Sequence, residues 1–118
     1  MNRLEGLRVL VLEDEPIVAM MLEDMLIELG CSVVGPASTL QEGMALAAGG
    51  GFDVAVLDIN VNGLRSDAIA YALDARGTPY TFATGYGSSG LPEGVARRVI
   101  HKPYTLDQLA TALEGLQG

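Results

Sequence analysis

Four short apolar runs each end in a residue able to do chemistry. Leu7 to Leu12 leads into Glu13-Asp14, and Val54 to Leu57 into Asp58. Tyr80 to Ala83 leads into Thr84, and Val99-Ile100, with His101, into Lys102. If the runs are parallel strands of one sheet, these residues share its carboxyl edge. Three carboxylates about 5 Å apart repel by roughly 3 kcal/mol per pair at an effective dielectric near 20. Lys102, the only lysine, offsets one of them. The cluster must protonate, spread apart or hold a cation. Hard oxygen donors select Mg²⁺ or Ca²⁺, and one or two carboxylates with waters and a phosphate suit Mg²⁺. A nucleophilic carboxylate, a metal, an ammonium and a hydroxyl together suit phosphoryl transfer onto Asp58. Taken singly, each has a plainer reading: Glu-Asp as a solvated helix cap, Lys102-Pro103 as a strand exit, Thr84 as nothing in particular. Their joint placement at four strand ends is what points to a site. His101, the only histidine, reads as a strand residue.

The elements that must position these residues alternate strictly. The runs above, with Val33-Val34, are short and apolar, as strands covered on both faces are. Between them lie helix patterns. Pro16 suits a helix first turn, with Val18, Met21, Leu22, Met25 and Leu29 as the apolar face and Gly30 as the stop. Met20, Met21 and Met25 read mostly as core filler, some as a docking surface. Thr39 with Glu42, and Thr105 with Gln108, read as capping boxes. Ile69, Ala72 and Leu73 mark a third helix ended by Gly77, and Leu106, Leu109, Ala110, Leu113 and Leu116 the last. The segment Leu91 to Arg97 holds Pro92 and Gly94 and predicts a short, weak fourth helix. Ala47 to Gly51 reads as a loop. Strand–helix alternation predicts an α/β fold, a doubly wound (βα)5 parallel sheet in the flavodoxin-like order 2-1-3-4-5. Its ligand crevice lies at the ends of strands 1 and 3. A Rossmann reading fails because Glu13-Asp14-Glu15-Pro16 stands where a glycine fingerprint would follow strand 1.

Composition agrees. The chain has 118 residues, 49% of them apolar, enough for one domain spanning 1–118. Seven Lys+Arg against fifteen Asp+Glu give −8, which disfavours binding nucleic acid. Cys31 is the only cysteine, so no intrachain disulfide forms. Met1 to Glu5 shows no signal peptide, and no apolar run is long enough for a membrane span. A cytoplasmic protein is expected.

These segments resemble the receiver domain of two-component response regulators along the whole chain. The matching stretches are Val9 to Pro16, Val56 to Gly63, Thr84-Gly85 and Lys102-Pro103. The family itself exemplifies the 2-1-3-4-5 order, so topology and resemblance are not independent. The resemblance implies that Asp58 accepts a phosphoryl group from a phosphohistidine, on a histidine kinase or histidine phosphotransfer protein. It implies Mg²⁺ held by Asp14, Glu13, Asp58 and the backbone carbonyl of Asn60. Thr84 and Lys102 would bind the phosphoryl oxygens, and the peptide before Pro103 is commonly cis. Two features depart from most receivers. The usual switch aromatic three residues before the lysine is Val99, and Pro79 to Gly87 resembles the Phe-Ala-Thr-Gly signature of the single-domain FAT GUY subgroup. The expectation is a stand-alone phosphoacceptor, not a turnover enzyme, that signals through an unidentified downstream protein. Its moving element would be the loop Gly85 to Gly90 with Tyr86, and the fourth helix. A degenerate receiver acting as a constitutive binding module is the alternative. An aspartyl phosphatase is a third reading, disfavoured because Asn60 stands where a second Asp is usual.

Overall fold

The computed structural model describes residues 4–85 and 99–117. In chain order the elements are β1 (Arg8–Leu12), α1 (Pro16–Glu28), β2 (Ser32–Ala37), α2 (Leu40–Gly49), β3 (Val54–Asp58), β4 (Asn60–Val61), β5 (Leu64–Arg65), α3 (Asp67–Arg76), β6 (Tyr80–Thr84), β7 (Val99–His101) and α4 (Leu106–Leu116). The main sheet is parallel in the order β2-β1-β3-β6-β7, which is the flavodoxin-like arrangement expected. The fourth helix of the (βα)5 pattern falls outside the described residues, as does the loop from Tyr86 onward.

Alternation along the strands builds two cores. Val9 and Val11 point to one face with Val54 and Val56, and are covered by Leu22 and Leu26 of α1 and by Leu109 and Leu113 of α4. Leu10 and Leu12 point to the other with Ala55 and Leu57, under Ala47 of α2 and Ile69 and Leu73 of α3. Each fully buried Leu or Val contributes about 1.5–3 kcal/mol, so both helix layers are held. Thr105 and Gln108 form the expected reciprocal capping box at α4. At α2, Thr39 accepts from the Glu42 N–H, but the Glu42 carboxylate accepts from the Ser38 N–H and hydroxyl and from the Thr39 hydroxyl. Gly77 caps α3 in the left-handed region, as expected of a glycine at that position.

Several local expectations are corrected. The buried line of α1 is Ala19, Leu22 and Leu26; Met20 and Met21 are exposed, and Met25 and Leu29 flank the core. Ile17 to Leu22 are all apolar or small, so sequence periodicity leaves the phase of that helix open. On α3 the buried residue beside Ile69 and Leu73 is Ala70, not Ala72. Ala47 to Gly49 extend α2, since alanine is a strong helix former and Ala47 reaches the core. A hairpin that the strand–helix pattern does not announce follows β3. Asn62-Gly63 turns β4 back on β5 as a two-residue antiparallel hairpin. Asn62 and Gly63 have φ of 53° and 79°, the paired positive values of a type I′ turn.

Candidate acidic phosphoacceptor site

The connections that leave β1 and β3 cover opposite faces of the sheet, and a cleft opens between these two strands at the carboxyl edge. It holds about 410 Å³ and is bounded by Asp14, Glu15, Asp58, Ile59, Asn60, Gly63, Thr84, Gly85 and Lys102. Every sequence-predicted site residue except Glu13 lines it. Glu13 lies beneath, only 3% exposed. One carboxylate oxygen each from Glu13, Asp14 and Asp58 come within 4.8 Å of one another. A larger cleft of about 740 Å³ runs between β7 and α4, but it gathers no carboxylate cluster and no lysine.

Lys102 does more than offset one charge. Its Nζ lies 2.6 Å from Glu13 Oε1 and 3.3 Å from Asp58 Oδ2, so it bridges two acids. The second Glu13 oxygen accepts the Glu15 N–H. Both Glu13 oxygens are therefore engaged, and Glu13 here anchors the lysine as much as it offers itself to a cation. Burial alone would lower the Lys102 pKa, but the Glu13 hydrogen bond and the Asp58 charge carry it above the ordinary lysine value. The peptide between Lys102 and Pro103 is cis.

The two aspartates differ. Burial, with the charges of Glu13 and Asp14, pushes Asp58 up to about 7 even though Lys102 pulls the other way. Asp14 is held below the usual carboxylate range, chiefly because its Oδ2 accepts the Asn62 N–H at 2.8 Å. Asp58 is fastened from behind: the Ser66 hydroxyl donates to its backbone carbonyl at 2.6 Å. Asn62 and Ser66 were not among the residues singled out from the sequence. The Asn-Gly pair at 62–63 was the available signal for the first.

Thr84 is buried at the end of β6, facing the cleft rim. A Cβ on Gly85 would meet no atom within 4 Å, so among the described residues no close packing demands a glycine there. Val99 is half-buried in β7 beside Phe82, where most receivers place their aromatic. His101 ends β7 and is exposed, as a strand residue. The donor set fits a small hard cation: carboxylate oxygens only, and open space beside them.

A parallel doubly wound sheet with clustered acids at its switch point and a lysine beside them defines an α/β domain with an acidic site at its strand ends. Residues 9–114 match the family described as response regulator receiver domain, and the chain belongs to it. It is similar to SdrG from Sphingomonas melonis Fr1, with 39% identity and a TM-score of 0.86 over 96% of this chain and 98% of that one. It is also similar to the response regulator PhyR from Brucella abortus, with 28% identity and a TM-score of 0.82 over 94% of this chain and 47% of PhyR. The transcriptional regulatory protein TcrA of Mycobacterium tuberculosis is 32% identical over 125 residues, 98% of this chain and 47% of TcrA. The chain thus spans about half the length of that curated relative.

Proposed function

We propose that the chain is a phosphoacceptor receiver in which Asp58 takes a phosphoryl group from a histidine kinase or histidine phosphotransfer protein. The observation that carries this is the convergence of Asp14, Asp58, Thr84 and Lys102 on one cleft. An Asp58 carboxylate oxygen would attack the phosphorus in line. The P–N bond then breaks, and its electron pair leaves with the imidazole nitrogen, which takes a proton from solvent. Lys102 and Thr84 would receive the phosphoryl oxygens as cation and hydroxyl donor. Asp14, Asp58, the Asn60 carbonyl and, through exchange with Lys102, Glu13 would hold Mg²⁺. When bound, that ion offsets the repulsion among the carboxylates and screens the charge of the incoming group.

The phosphodonor has an apolar landing face beside the cleft. Ile17, Met20, Met21 and Ile27 of α1 are 73%, 62%, 54% and 61% exposed. Ile17 lies on the first turn, three residues beyond Asp14, so a helix seated there brings a phosphohistidine to the cleft mouth. The intact site disfavours a constitutive binding module. The Pro79 to Gly85 run together with Val99 supports the FAT GUY subgroup, and signalling would proceed through phosphorylation-dependent contacts with a further protein. Incubation with acetyl phosphate and Mg²⁺ tests the reading. A stable mass gain of one phosphoryl group, absent in Asp58→Asn, is expected. No gain would favour the binding module, and repeated turnover of an added phosphoester the phosphatase. A phosphotransfer profile against the host's kinases would then identify the donor.

A further inference from the structure

The β4–β5 hairpin is fastened to the acid site at both its base and its tip. At the base, the Ser66 hydroxyl holds the Asp58 carbonyl, and the Ser66 N–H donates to the Ile59 carbonyl at 2.9 Å. At the tip, the Asn62 N–H donates to Asp14 Oδ2 at 2.8 Å, while its side-chain amide donates to the Ser38 carbonyl at 3.1 Å. Asn62 therefore joins the turn to the loops that follow both β1 and β2. Its left-handed φ of 53° aims the N–H and the carboxamide at these two loops. Asparagine is one of the few residues that tolerate this backbone. A two-stranded hairpin of two-residue strands is marginal by itself, so its position depends on such ties.

We propose that Asn62 is a positioning residue for the metal site: its carboxamide, anchored on Ser38, holds the hairpin tip so that the Asn62 N–H orients the Asp14 carboxylate toward the cation. With Oδ2 held by that N–H, the Asp14 carboxylate meets the cleft in one preset orientation. The same tip carries Gly63, and the same hairpin carries Asn60, at the cleft wall. Loss of the Ser38 tie frees the tip, and Asp14 must then be ordered by the ion itself. Ligand-orienting partners of this kind typically change metal affinity by about ten-fold or more.

The inference rests on the Mg²⁺ reading of the site, and the test separates the two. Asn62→Gly keeps the left-handed turn and removes only the carboxamide. Mg²⁺ is titrated into the full chain and followed by backbone amide shifts, with Asp14→Ala as the variant that should not respond. The expected result is Mg²⁺ binding by the natural protein and about ten-fold weaker binding by Asn62→Gly. In parallel, the Mg²⁺ concentration for half-maximal phosphorylation by acetyl phosphate should rise by a similar factor, with a smaller change in the plateau. A merely structural tie would lower the melting temperature equally in EDTA and in Mg²⁺ and leave the affinity as it was. That outcome overturns the inference and leaves the site reading standing. Absence of any Mg²⁺ response in the natural protein overturns both.

Discussion

In metal-free buffer, Asp58→Asn should stabilise this protein, and increasingly so as the pH rises above the ordinary carboxylate pKa toward neutrality. Asp58 has two acid neighbours within 4.8 Å and one cation at 3.3 Å. Each neighbouring carboxylate opposes its ionisation by about 3 kcal/mol at an effective dielectric near 20, and Lys102 returns somewhat more than one such term. Burial adds to the imbalance. The outcome is a folded-state pKa of about 7 against an ordinary 3.8, a difference equivalent to roughly 4 kcal/mol. Because the folded pKa is raised, the folded state holds the proton more tightly. That contribution is complete below the ordinary carboxylate pKa and is lost as the pH rises through 7. Asparagine copies the neutral acid and never ionises. Its advantage should therefore be near zero at pH 4, grow up to neutrality and level off above it. For a domain of this size the plateau corresponds to a melting-temperature rise on the order of 10 °C. The assay is thermal unfolding in EDTA at half-unit pH steps for both proteins. A rise of equal size at every pH, or a fall at pH 8, would refute the electrostatic reasoning. Saturating Mg²⁺ should shrink the difference by stabilising the natural protein, with its full set of carboxylates, more than the variant.

Lys102→Met should lower stability at pH 8 by about 3 kcal/mol in EDTA, because it leaves Glu13 buried beside Asp58 without its cation; urea unfolding measures this. Beryllofluoride should shift the β6 amides of the natural protein; Thr84→Ala should still accept phosphate from acetyl phosphate but show no such shifts. Gly43→Ala should cost up to about 2 kcal/mol in urea unfolding: a Cβ there would lie 2.7 Å from Ile69 Cδ1 and 3.1 Å from Leu12 Cδ1, both on buried residues, and the helix propensity of alanine offsets about 1 kcal/mol of the overpacking.

The site was legible in the sequence because a parallel sheet turns a one-dimensional rule into a place. Each of Asp14, Asp58, Thr84 and Lys102 follows an apolar run, and parallel strands bring all such ends to one edge. Glu13 follows the same rule, yet it lies under the cleft. Which of two adjacent acids points inward depends on strand parity and on Lys102 reaching across from β7, neither visible in local spacing. The phase of α1 was hidden by an excess of apolar residues: with six in a row, periodicity cannot tell Met21 from Leu26, and packing decides. The hairpin was missed for the opposite reason. Strands of two residues carry no alternation, so the Asn62-Gly63 turn pair is the one local signal of the hairpin. Asn62 acts through its backbone N–H on a carboxylate 48 residues earlier, and Ser66 through its hydroxyl on the Asp58 carbonyl eight residues earlier. No sequence pattern of either residue reports such a partner.

The most direct test of the central claim is to locate the phosphoryl group chemically. The protein is incubated with a phosphorylated histidine donor or acetyl phosphate in Mg²⁺, then treated at once with borohydride, which reduces an aspartyl phosphate to homoserine. Peptide mapping should find homoserine at position 58 and nowhere else, with none formed in EDTA or in Asp14→Ala. Homoserine at another aspartate, or none at position 58 under conditions that phosphorylate a control receiver, would contradict the account.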